Sequence, residues 1–230
     1  MEVRKKVKIK ICGITSTDDA YLAKEAGADY IGLIIDIAFS LRCISLEKAR
    51  HICEKSPLPV VAVVLDREAS EIANLVGTLY PYAVQLAGQE PPSLVRALKG
   101  LVNCEIWKSI FVPAHNAGEI DIISIQNHVA SFVDAGVDVI LFDTAATNKG
   151  QRQFGGTGVV SNWEVARELS ARIPIQTFLA GGINPDNVQE AIRKVCPDGV
   201  DLASGVEASP GKKDPDKIYR LVEKVRSVSP

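Results

Sequence analysis

Four groups of polar and glycine residues in this 230-residue chain each stand directly behind a short apolar run. Cys12-Gly13 follows Val7 to Ile11, and Asp143 follows Val139-Ile140-Leu141-Phe142. Gly181-Gly182 follows Ile175 to Ala180, and Ser204-Gly205 follows Val200 to Ala203. If these runs are parallel strands, all four groups collect at one end of one sheet, where α/β enzymes keep their chemistry. A thiol accepts a proton once ionised, and a carboxyl at the end of an apolar strand can donate one, so Cys12 and Asp143 are a candidate base and acid. A lone cysteine at a strand end is more often a small buried hydrophobe, and an aspartate before Thr144 can be a helix or loop cap.

The glycine turns suggest an anion site. Glycine lets the main chain approach a ligand closely, and in barrels the loops after the seventh and eighth strands commonly cradle phosphate. Gly181, Gly182, Ser204 and Gly205 are therefore the candidate cradle. Gly155-Gly156-Thr157-Gly158 is too short for a Walker loop and lacks its Lys-Ser or Lys-Thr pair. It reads as a phosphate-side or lid loop with Gly156 as its contact, or as a plain surface connection. Arg42 can bind a carboxylate or phosphate bidentately, or sit on the surface. Gln85 can supply a neutral hydrogen bond. Lys108, inside the fifth strand run, lines the site if it faces inward and otherwise snorkels or pairs outside it. A base and an acid across such a mouth would suit isomerisation of a phosphorylated sugar.

Positioning these residues needs alternating strands and helices, and the pattern supplies them. Strands are expected near 7–11, 29–35, 59–65, 82–86, 104–110, 137–142, 175–180 and 199–203. Helices are expected near 17–26, 45–55, 68–79, 90–99, 120–134, 161–170, 185–194 and 214–227. Runs such as Val60 to Leu65 are apolar throughout, as strands covered on both sides are. Eight such units favour a single α/β domain over residues 1–230, closed as a (β/α)8 TIM barrel, with an open doubly wound sheet as the alternative. Local signals agree: Thr17 and Ser45 as helix caps, Gly27 as a stop, and Asn184-Pro185 and Asp214-Pro215 as helix starts.

Composition narrows the partners. A net charge of -2 gives no basic field for nucleic acid, and no apolar run is long enough to span a membrane, so a cytoplasmic protein is expected. The five cysteines have neither zinc-site spacing nor disulfide density, and with only His51, His115 and His128 no metal centre is expected. Apolar stripes on the outer helices are expected in a monomer and a homodimer alike, since each helix must bury one face on the barrel.

At these positions the chain resembles the phosphoribosylanthranilate isomerase family of tryptophan biosynthesis over nearly its full length. The segments that carry the resemblance are Lys10 to Thr15, Leu141 to Thr144, Gly155 to Gly158, Leu179 to Val188, Ser204 to Glu207, and Pro210-Gly211 with Lys213-Asp214-Pro215. The resemblance implies a β/α barrel that needs no cofactor and performs the Amadori rearrangement of N-(5-phosphoribosyl)anthranilate to 1-(2-carboxyphenylamino)-1-deoxyribulose 5-phosphate. It further implies that Asp143 protonates the ribose ring oxygen, that Cys12 removes the C2 proton, and that Arg42 recognises the anthranilate carboxylate. Two stretches depart from the family pattern. Ser40-Leu41-Arg42-Cys43 stands where Ser-Pro-Arg-Tyr is usual, and Gln85-Leu86-Ala87-Gly88 where Gln-Leu-His-Gly is usual. These changes keep open two alternatives: a diverged isomerase for another phosphosugar, and a noncatalytic phosphometabolite-binding barrel.

Overall fold

Alternation along each strand decides which side chains fill the middle of this protein and which meet its helices. The computed structural model describes residues 6–113, 120–148, 151–154 and 161–228. In chain order the elements are β1 (Lys8–Cys12), α1 (Thr17–Ala26), β2 (Tyr30–Ile35), β3 (Cys43–Ile44), α2 (Leu46–Lys55), β4 (Val60–Val64) and α3 (Ala69–Leu79). There follow β5 (Ala83–Leu86), α4 (Pro92–Lys99), β6 (Glu105–Val112), α5 (Ile122–Asp134), β7 (Val139–Asn148), β8 (Gln151–Phe154) and α6 (Trp163–Ser170). The chain ends through β9 (Gln176–Leu179), α7 (Val188–Val195), β10 (Gly199–Leu202), a 3-10 turn (Ser204–Val206), β11 (Glu207–Ser209), β12 (Lys212–Lys213) and α8 (Pro215–Ser227).

Strands β1, β2, β4, β5, β6, β7, β9 and β10 pair in parallel, and β1 pairs with both β2 and β10, so the sheet closes on itself. This is the expected (β/α)8 barrel rather than the open sheet. The seam runs from Lys8 opposite Gly199 to Ile11 opposite Leu202.

Period-2 alternation sends Val61, Ala83, Trp107, Val139, Leu141, Phe178 and Ala180 into the barrel as one cluster, with Tyr30 packed against it. Tyr30 lies edge-on to Trp107 at 5.4 Å, and Trp107 tilts against Phe178 at 4.9 Å, so aromatic rings fill the lower barrel. The alternate residues, such as Ile9, Ile11, Leu33, Ala62 and Val84, belong to the larger shell shared with the helices. Each helix answers with one apolar stripe; in α7 it is Val188, Ala191, Ile192 and Val195.

The local signals hold with two corrections. Ser45, Asp214 and Gly27 act as expected, Ser45 and Asp214 accepting from Lys48 and Lys217 N–H and Gly27 closing α1 at φ 98°. Ser16, not Thr17, caps α1, because its hydroxyl is the one that accepts from Asp19 N–H, at 3.1 Å. Asn184-Pro185 does not start α7: the Asn184 Oδ1 accepts from the N–H groups of Asp186 at 2.8 Å and Asn187 at 3.2 Å, winding a side-chain turn that delays the helix to Val188. Strand β3, the antiparallel strand β8 and the β11/β12 hairpin were not anticipated from the pattern. They are two to four residues long, too short to carry periodicity.

Because Phe178 fills the barrel interior, Phe178→Ala is expected to cost about 3–5 kcal/mol in denaturant unfolding. Truncating Tyr80, which is 85% exposed, is expected to change stability by less than about 0.5 kcal/mol.

Candidate active site

Above the aromatic layer the interior turns polar. The parallel register places Lys10 of β1 beside Asp201 of β10, and the buried Lys10 Nζ donates to both carboxylate oxygens at 3.0 Å. Burial works against the Lys10 charge, but Asp201 and then Cys12 outweigh it and raise its pKa. Two residues further along β1, on the same face, Cys12 meets the Lys10 ammonium through its sulfur. Its thiol is pushed above the ordinary value, first by burial, while Lys10 and Lys213 pull the other way.

These groups open into a cavity at the C-terminal ends of the strands. Cys12, Arg42, Gln85, Asp143, Gly181, Gly182 and Ser204 all line it, so seven of the ten residues singled out from the sequence meet there. Asp143 follows the buried core of β7, and its Oδ1 accepts from Thr144 N–H at 2.7 Å. Burial raises its pKa to about 6, with the Thr144 hydrogen bond opposing and Asp201 adding to the rise. Asp201 and Glu207 each have a cationic partner, whereas Asp143 makes no ion pair among the described residues. It therefore keeps its proton to about pH 6, well above the usual carboxylate range, and can give it away.

Gln85, 4% exposed, donates through Nε2 to Ser109 Oγ at 3.0 Å. Its Oε1 has no partner among the described residues. Whichever way the amide is turned, Ser109 satisfies one end of it and leaves the other for a ligand. Arg42, on the loop after β2, is gripped by Glu207, with Nε donating at 2.8 and 3.0 Å and Nη2 at 2.7 Å. Burial alone would raise the Glu207 pKa, but Arg42 and Lys213 hold it below the usual carboxylate value.

The glycine turns work in two ways. Gly181 and Gly182 adopt φ of 79° and 66° and line the pocket directly. The Asn187 side chain fixes their loop by donating to the Gly182 carbonyl at 2.9 Å. Gly205 lies behind the wall: a Cβ there would run into the carbonyl oxygen of Ile183, so its absence lets the turns after β9 and β10 close together. Gly156 and the Gly155 to Gly158 motif, like His115, lie outside the described residues.

Lys108 does not reach the cavity. It alternates with the inward-facing Trp107 and Ser109, so the pleat sends it outward, where Nζ donates to Glu90 at 2.7 Å and to the carbonyls of Gly88 at 2.7 Å and Leu86 at 3.3 Å. It braces the loop that follows Gln85. Conversely, Lys10, Asp201, Ser109 and Glu207 escaped the sequence reading. The signal for the first two was a charge within an apolar strand run, which must find a partner when buried.

A family model described as N-(5'-phosphoribosyl)anthranilate isomerase matches residues 9–224. An N-(5'-phosphoribosyl)anthranilate isomerase of Methanocella arvoryzae is 38% identical over 223 residues, covering 95% of this chain and 98% of its own. The phosphoribosyl anthranilate isomerase of Thermotoga maritima superposes with a TM-score of 0.79 at 32% identity, over 95% of this chain and 98% of that one. A structure of such an isomerase in complex with reduced 1-(o-carboxyphenylamino)-1-deoxyribulose 5-phosphate gives a TM-score of 0.76 at 33% identity, with 95% and 98% coverage.

Removing one partner of the Lys10–Asp201 pair strands a buried charge. Lys10→Met and Asp201→Asn are each expected to lose about 3–5 kcal/mol in urea unfolding, and the apolar double variant Lys10→Met/Asp201→Leu to recover most of that loss.

Proposed function

The chain belongs to the N-(5'-phosphoribosyl)anthranilate isomerase family, and we propose that Cys12 and Asp143 are the base and acid with which it converts N-(5-phosphoribosyl)anthranilate to 1-(2-carboxyphenylamino)-1-deoxyribulose 5-phosphate. The observation that carries this assignment is the placement of both groups, from β1 and from β7, on the wall of one cavity. Asp143, protonated up to about pH 6, gives its proton to the ribose ring oxygen as the C1–O bond breaks, and the anilino nitrogen's lone pair forms an iminium at C1. That iminium acidifies the C2–H bond. The Cys12 thiolate takes the C2 proton, and the resulting enolamine becomes the ketone by losing its O2 proton and gaining one at C1.

The rest of the cavity sorts by charge. The turns carrying Gly181, Gly182 and Ser204 suit the phosphate, since glycine backbone can approach an anion closely at the ends of the last two barrel strands. Arg42 suits the anthranilate carboxylate, because Glu207 occupies its Nε and Nη2 edge and fixes the plane of the guanidinium. The free amide end of Gln85 suits a sugar hydroxyl. Ala87 and Phe39 line the same cavity and make its aryl end apolar.

Freshly generated phosphoribosylanthranilate should lose its fluorescence on mixing with the protein, in preference to a panel of phosphosugars without the aryl ring. Turnover only of the latter would mean a diverged isomerase, and binding by calorimetry without any turnover a noncatalytic barrel. Cys12→Ala and Asp143→Asn should fold and lose at least about 10²–10⁴-fold in kcat.

The pH profile follows from the two proton affinities. Turnover needs Asp143 protonated and Cys12 ionised, although Asp143 titrates at about 6 and Cys12 above its ordinary 9.0. Below about pH 6, kcat/KM rises about tenfold per unit as the thiolate grows. From there to the thiol pKa the loss of the Asp143 proton cancels that gain, leaving a plateau, and the rate then falls. A steady decline through the plateau region would remove Cys12 from the titrating pair.

A further inference from the structure

A second buried lysine reaches Cys12, through the backbone. Lys213, in β12, is 2% exposed, and its Nζ donates to the carbonyl oxygen of Cys12 at 2.6 Å, to Glu207 Oε1 at 2.9 Å and to the carbonyl of Ala203 at 3.4 Å. Glu207 in turn holds the Arg42 guanidinium. The hairpin that carries both residues is itself pinned: Lys217 Nζ donates to the Glu207 carbonyl at 2.7 Å, and Thr15 Oγ1 donates to the Gly211 carbonyl at 2.6 Å. One carboxylate and two cations thus connect the end of β1, the end of β10 and the loop after β2.

Stability does not explain this choice of residues, because a buried ion network is matched or bettered by well-packed apolar side chains. Directional bonds do add fixed geometry, and here they end on two residues of the proposed site. We propose that Lys213 is a positioning residue: through the Cys12 carbonyl and, by way of Glu207, the Arg42 guanidinium, it holds the proton-abstracting thiol and the carboxylate-binding group in one rigid frame. This inference rests on the reading of Cys12 as the base. A displacement of about 1 Å at such a frame is enough to cost 10²-fold in rate.

The test compares Lys213→Met and Lys213→Gln with Cys12→Ala in the steady-state isomerase assay, over a full pH range, each variant first shown to be folded by near-UV circular dichroism. Lys10, Asp201 and Lys213 face the thiol, with Asp143 and Arg42 on the same cavity wall. Folded Lys213→Met is expected to lose about 100-fold in kcat, with the alkaline break of the profile moved upward. Lys213→Gln, which can still donate to the carbonyl but carries no charge, is expected to lose about tenfold in kcat with the same upward move. If Lys213→Met does not fold, Lys213→Gln alone is read in this way. Native kcat and a native alkaline break in a folded Lys213 variant overturn the proposal while leaving the base assignment intact. Full activity in Cys12→Ala overturns that assignment and the proposal with it.

Discussion

The ion pair between Lys10 and Asp201 is the constraint on which the site depends. It bridges β1 and β10, the first and last strands of the barrel, at the seam where the sheet closes. An ammonium and a carboxylate taken out of water cost several kcal/mol each unless they meet with good geometry. The parallel register that places Lys10 opposite Asp201 is therefore also the register that makes their burial tolerable. Since Cys12 lies two residues beyond Lys10 on the same strand face, fixing the seam fixes the thiol.

From that seam outward, the charges of the cavity are arranged by pairing. Lys10 is matched with Asp201, and Lys213 and Arg42 share Glu207. Asp143 is the carboxyl of the lining that takes a hydrogen bond from the adjacent Thr144 N–H and meets no cation at ion-pair distance among the described residues. Burial outweighs that hydrogen bond and the pull of Lys10, and this is why its proton persists to about pH 6. The difference between a structural carboxylate and an acid in this site is the presence or absence of a neighbouring ammonium.

Much of this organisation was legible in the linear sequence. Apolar runs of strand length, separated by amphipathic stretches with caps and glycine stops, identify eight strand–helix units because burial and capping act locally. Period-2 alternation also held the answer for Lys108: flanked by Trp107 and Ser109, it faces away from the barrel axis wherever they face toward it. The helix starts and short strands that escaped had no local signature. The choice of Ser16 over Thr17, and the start of α7 at Val188, turn on which side-chain oxygen reaches a peptide N–H, a matter of dihedral angles. The β11/β12 hairpin is held by Lys217 and Thr15 rather than by strand length.

The sequence by itself determined the alternation of elements and the placement of Cys12, Asp143 and the glycine turns at strand ends, and favoured a barrel over an open sheet, because periodicity and chain reversal are properties of neighbours along the chain. The tertiary structure alone decided the ionic partnerships: Lys10 with Asp201 across 191 positions, Arg42 with Glu207 across 165, and Lys213 with the carbonyl of Cys12 across 201. Those contacts form only when the barrel closes and brings the two ends of the polypeptide together. Charge–charge and hydrogen-bond energies depend on distance in space and on exclusion from water, and neither is written in residue order.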